Sequence, residues 1–246
     1  MTRVRRGGAA AVLLTCLLVL AACTGAPSGD GPAAPAPPEP RDVVASAARS
    51  LADAGSARVE LSVGAATGAV QASGPMRFTP FATDLTVAFG TRGAQVRAVD
   101  DGVWFRLAGA PGWQSLSPGM VPVGAVGGAL QAVRGLTDVT ERGGEDVGGA
   151  PATVYGGTVD LAAARAGADP ATAGRLAQLS GLVSPTPRFT AWIGAPDAPE
   201  ADRGRLLRLS LEPAPPGTAP QPAPAPGAVT IGFAEPGLPV EVSPPA

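Results

Sequence analysis

The chain contains no His, no Lys and no Asn in 246 residues, so every one of its 18 basic residues is Arg. The missing His excludes Ser-His-Asp and Cys-His catalysis and removes the commonest metal ligand and the commonest general base. Only two Cys are present, Cys16 and Cys23. Both lie near the start, so the rest of the chain has no disulfide, free thiol or thiolate metal site. Aromatics are sparse, at 4% of residues. The absence of Lys and Asn beside abundant Ala, Gly, Pro and Arg implies a GC-rich coding genome, as in actinobacteria.

What is present is most telling at the N-terminus. Arg3, Arg5 and Arg6 precede an uncharged run from Gly7 to Cys23, mostly Ala, Val and Leu. A basic head, an apolar centre and small residues at the end are the order of a secretory signal. The apolar centre, residues 9–22, is shorter than the roughly 20 residues that span a bilayer. Leu20-Ala21-Ala22-Cys23 has small residues for a peptidase and a thiol that can become a thioether. It resembles a bacterial lipobox, with cleavage before Cys23 and residues 1–22 as the signal. Residues 23–40 read as a Pro/Gly/Ala tether that cannot bury a core. Loss of the signal leaves 15 Arg against 20 acids, a net charge of −5. That balance argues against nucleic acid, which favours a basic face.

Residues 41–246 are long enough for one domain. Val44, Ala47, Ala48 and Leu51 fall at helical spacing and predict a helix over 42–54. Residues 57–63, 81–89 and 103–107 alternate apolar and polar, which predicts strands with one buried face in an antiparallel meander over 57–116. Thr79-Pro80, Arg92-Gly93 and Asp100-Asp101-Gly102 read as its turns. A second helix is expected from Pro122 to Arg134, with Val123, Val126, Leu130 and Val133 on one face. Strands follow near 136–147 and 152–159. A short helix begins at Asp160, and Asp169-Pro170 reads as the cap of another. Strands return at 188–193 and 205–211, where Leu207, Leu209 and Leu211 share a face. Pro213 to Gly227 reads as a surface loop before a last strand at 229–233. The pattern is α+β, with one antiparallel sheet and helices gathered on one face.

No compact catalytic or metal motif emerges. Asp100-Asp101 reads as a solvated turn and Glu141-Arg-Gly-Gly-Glu145-Asp146 as a surface loop without calcium-loop spacing. The Gly pairs at 127–128, 143–144, 148–149 and 156–157 lack the following Lys-Ser/Thr of a phosphate loop and are assigned to turns. Trp104, Trp113 and Trp192 could stack on sugars, although core or rim positions suit them better. No Gly-x-Ser-x-Gly elbow is present. The chain therefore reads as a non-enzyme with no cofactor.

Three segments resemble a known family: Gly149-Ala-Pro-Ala-Thr-Val-Tyr-Gly-Gly-Thr-Val-Asp-Leu161, the pair Thr190-Ala-Trp-Ile193 and Leu207-Arg-Leu209, and Gly232 to Pro245. In their order they resemble the LppX/LprAFG group of envelope lipoproteins, related in fold to LolA and LolB, over residues 41–246. Val154 stands where the family often carries His. The resemblance implies a strongly curved antiparallel sheet, a half-barrel, with helices over its concave face and an apolar cavity for acyl chains. It implies lipid or lipoglycan as partner, with the membrane reached through lipidated Cys23. Sheet alternation and helical period place Leu85, Val87, Val126 and Leu130 in that cavity. The rival reading is a non-catalytic scaffold or regulatory module that binds a protein by a surface patch.

Overall fold

The computed structural model describes residues 37–64, 70–100, 102–117, 124–212 and 229–245. Cys23, the tether up to residue 36, Asp101, Pro122, Val123 and the Pro213–Gly227 stretch lie outside them, while Pro40, expected to end the tether, already begins the first helix.

Helix α1 spans Pro40–Asp53. Its fixed-φ proline sits in the first turn, where a missing N–H costs nothing. Val44, Ala47, Ala48 and Leu51 form its buried stripe. The expected meander follows as six strands: β1 (Ser56–Val63), β2 (Val70–Arg77), β3 (Ala82–Phe89), β4 (Arg92–Val99), β5 (Gly102–Leu107) and β6 (Gln114–Leu116). The turn expected at Arg92-Gly93 is one step earlier. Gly90 takes the left-handed conformation at φ 59°, and Arg92 and Gly93 already pair with Phe89 and Ala88.

The second helix is shorter than its periodicity predicts. α2 covers Ala125–Gln131, and a 3-10 turn over Ala132–Gly135 tightens its end. Next come β7 (Leu136–Val147), β8 (Ala150–Val159), α3 (Leu161–Ala166) and α4 (Pro170–Ser180). Asp160 caps α3 by accepting from the Ala163 N–H at 2.9 Å. Asp169 caps α4 by accepting from Ala171 and Thr172, both at 3.0 Å. The Thr172 side chain first, and then these backbone bonds, hold the Asp169 carboxyl below its ordinary pKa. The chain closes with β9 (Arg188–Gly194), β10 (Leu206–Glu212) and β11 (Val229–Ala234).

All eleven strands form one antiparallel sheet in the order β6-β5-β4-β3-β2-β1-β11-β10-β9-β8-β7. The chain enters at the middle, runs out to one edge, crosses through α2 to the other edge, and returns to lay β11 beside β1. The sheet curls without closing, and the helices pack on its concave face. α1 lies over β1, β7, β9 and β10, while α2, α3 and α4 pack on one another and on the 3-10 turn. A Cβ on Gly128 would come within 2.5 Å of the Arg175 carbonyl oxygen, so glycine is what lets α2 sit this close to α4. The main core joins α1, α2 and α4 to the sheet through Val44, Leu51, Val126, Leu176, Leu179, Val59 and Ile231.

The free edges are protected in different ways. β6 has only three residues. β7 is long, but it is charged and carries register shifts at Thr137/Thr140 and Glu141/Gly143. The acidic segment Glu141–Asp146, expected as a loop, is therefore part of an edge strand. Among the Gly pairs, only Gly148-Gly149 makes a turn, with both φ values positive and Asp146 accepting from the Gly149 N–H at 2.7 Å. Gly127-Gly128 lies in α2, Gly143-Gly144 in β7 and Gly156-Gly157 in β8. A Cβ at Gly157 would come within 2.6 Å of the Thr137 carbonyl oxygen, so close approach rather than turning explains that glycine.

Candidate functional site

Register places three apolar rows across the concave face. The longest runs Ile231–Leu61–Ala72–Val87–Ala94–Leu107, through β11, β1, β2, β3, β4 and β5. A second runs Val229–Val63–Val70–Phe89. In the third, Leu85 faces Val96, and Val96 faces Phe105. At strand spacings of about 4.8 Å, the six-strand row is about 24 Å long.

The helices cover these rows unevenly. Ile231 is buried at 1% exposure, whereas Leu107 at the far end is 44% exposed and Val70 is 37% exposed. Leu61, Val63, Val87, Phe89, Phe105 and Leu116 are half-buried. A separate small cluster of Val96, Ala98 and Val103 lies under this open end, with Val87 touching both it and the main core. Ala72 and Ala94 are buried in the long row between the larger Leu61, Val87 and Leu107. The result is an apolar trough that begins beneath the helices and opens toward β5. Such a surface gains free energy when an apolar body covers it, about 25 cal/mol per Å².

Of the four positions derived from the sequence, Val87 lies in the long row, Leu85 in the shorter row beside it, and Val126 and Leu130 inside the main core. Leu85 is buried at the core border and Val87 is half-buried in the long row. Val126 and Leu130, on α2, are buried in the same cluster as Leu85, with Val87 packed against it. Sequence reasoning did not single out Val70, Phe105 or Leu107 as ligand positions. The alternation of Phe105 and Leu107 was visible and that of Val70 was not, and the exposure of all three depends on where the helices stop.

Tyr155, the single tyrosine of the chain, is buried on the concave face of β8. Burial, and then the charge of Glu141, push its phenol above the ordinary pKa. The tryptophans lie elsewhere and form no common platform. Trp113 is held between Arg97 and Arg106, whose guanidinium carbons are 4.9 and 4.7 Å from its ring centre. Trp192, on β9, donates to Glu145 at 2.8 Å and carries Arg208 over its ring. The register shift in β10 near Arg208 moves Leu207 off the face it was expected to share with Leu209. Leu207 instead joins Ala150, Ala152 and Trp192 on the outer face. Val154 also lies on that face, paired with Trp192.

Two cavities are well defined. One of about 110 Å³ lies between the end of α1 and the strands β10 and β11, near Leu51, Leu206 and Phe233. The other is an open groove of about 770 Å³, set mainly on the outer face of β1–β3, β10 and β11. Neither touches Val126 or Leu130. Among the described residues, no three His, Cys, Asp or Glu side chains are placed to hold a metal ion. No described helix is long and apolar enough to cross a membrane.

No protein-family model matches the chain. No curated protein matches it significantly. Solved structures do. The Mycobacterium tuberculosis lipoprotein LppX superposes with a TM-score of 0.54 at 17% identity, covering 82% of this chain and 99% of LppX. LprF from Mycobacterium bovis superposes with a TM-score of 0.57 at 16% identity, covering 85% of this chain and 98% of LprF. The chain has the fold of the lipoproteins LppX and LprF.

Proposed function

We propose that this protein is an exported envelope lipoprotein, anchored through Cys23, that holds the acyl chains of a lipid or lipoglycan against the concave face of its sheet. The observation that carries the reading is the row from Ile231 to Leu107, which is apolar on all six strands and ends 44% exposed. The shared fold with LppX and LprF supports it. Binding would work by partition. Each buried CH₂ contributes about 0.8 kcal/mol, so a chain of about a dozen carbons binds usefully without a polar key. Leu85 and Val87 would form the floor, with Val126 and Leu130 supporting the helical wall behind them. The residues invoked have no nucleophile or acid–base role, so the proposed task is binding, and handing lipid on, rather than catalysis.

Native mass spectrometry of the purified full-length protein tests this. The expected result is a mass adduct that organic extraction removes and that lipid analysis identifies as acylated, beyond any chains on Cys23. A protein with no extractable lipid, and no uptake of a fluorescent fatty-acid probe, would favour the scaffold reading instead.

A further inference from the structure

The groove of about 770 Å³ lies mainly on the face of the sheet opposite the apolar trough, and its lining mixes polar side chains with apolar surface from Val147, Leu207 and Phe233. Register sets two polar rows along it. One runs Thr230–Ser62–Gln71–Ala88, and the other Arg208–Gly232–Glu60–Ser73–Thr86. The solvent face of a sheet ordinarily carries long side chains that fill the space above it. Here six of the nine positions are Ser, Thr, Ala or Gly, so the floor is low on four adjacent strands, β11, β1, β2 and β3. The β7–β8 hairpin tip, through Val147, Gly148 and Ala150, walls one part, and Asp202 lines it further along.

We infer that this groove binds a neutral oligosaccharide. The floor offers hydroxyls from Ser62, Ser73, Thr86 and Thr230. Glu60 supplies a carboxylate that can accept from two adjacent sugar hydroxyls, while Gln71 and Arg208 supply donors. The small apolar surfaces of Ala88, Ala150 and Gly232 suit the C–H face of a pyranose. Charge argues against an anionic ligand. Glu60 and Asp202 face the groove with Arg208, whereas Glu235 is already paired with Arg58 at 2.9 Å. An extended peptide fits less well. Its N–H and C=O groups need partners, and the main chain of this floor is already spent in the sheet ladder on both sides. The polar rows of this site face away from the apolar trough, and the two surfaces meet only at Leu61 and Ala72.

The test is calorimetric titration of the full-length protein with cellohexaose, maltohexaose and mannohexaose, with an uncharged Ala/Ser decapeptide in parallel. Ser73→Arg and Thr86→Arg place long side chains on the groove floor at two exposed, directly paired positions. Binding of at least one oligosaccharide, weakened tenfold or more by each substitution with the unfolding midpoint unchanged, is the expected result. Gln71→Ala, which removes a donor without filling space, should weaken the same sugar. Failure of all three sugars to bind overturns the proposal. So does equal binding by wild type and the Arg variants, or binding of the decapeptide in place of the sugars.

Discussion

Placing a tryptophan at Val87 and, separately, at Leu130 should give two different outcomes. Leu130 is 3% exposed and lies inside the main core. A larger ring there has no space to enter, and overpacking of this kind costs about 1–3 kcal/mol. For a domain of this size each kcal/mol lowers the midpoint by about 2–4 °C, so the expected loss is about 2–12 °C. Val87 is half-buried, midway along the long row, and touches the trough-side cluster. A ring at 87 can extend along the trough toward Leu107, so the stability change should stay within about 1 kcal/mol. The ring would occupy the space of about three ligand methylenes, worth about 2.4 kcal/mol at 0.8 each. That corresponds to a roughly 60-fold loss of affinity. Thermal unfolding reads the first quantity, and titration with a fluorescent fatty acid reads the second. The reasoning fails if Val87→Trp destabilises as much as Leu130→Trp while the wild type takes up no probe. The trough would then be ordinary core.

Two further predictions concern other parts of the chain. Cys23→Ala should move the protein from the membrane fraction to the soluble fraction with its unfolding midpoint unchanged. Retention on membranes after a high-salt wash would refute the lipid anchor. Tyr155, as the only tyrosine, allows a clean absorbance titration. In the folded protein it should ionise above the ordinary value of about 10, because burial and the Glu141 charge both oppose the phenolate. As pH rises the unfolded chain loses this proton first, so the contribution is intact below pH about 10 and declines as pH climbs to the folded value. Titration of the native protein at the ordinary value would show that the ring is hydrated.

The elements with strong local patterns were legible. α1 has its four-residue stripe, β1 and β3 alternate cleanly, and Asp160 and Asp169 announce their helices as caps. β2 was not individually legible. Its sequence, Val-Gln-Ala-Ser-Gly-Pro-Met-Arg, carries Gly74 and Pro75 in its middle and lacks a sustained run of large apolar residues. It is a strand because β1 and β3 pair with it on both sides. Gly74 is required there by close approach, since a Cβ would collide with the Asp84 carbonyl oxygen. The register shift in β10 was equally hidden. Leu207-Arg208-Leu209 alternates faultlessly, yet one irregularity turns Leu207 to the other face.

The trough shows where local reading stops. Alternation within a strand says that Val87 and Leu85 share a face, but a ligand surface requires neighbours across strands. The long row takes residues from position 61 to position 231, joined because β11 returns to lie beside β1. No window of sequence contains both ends of it. The helices settle which part stays open. α1 is placed over β1, β7, β9 and β10, so burial is complete at Ile231 and falls away toward Leu107. The same geometry explains why a groove can occupy the opposite face. Around the groove, β1, β2 and β3 carry apolar residues inward and mostly polar ones outward with period two. A one-residue slip of any central strand would exchange the two surfaces locally, so the sheet's register sets both the apolar row and the groove on the opposite face.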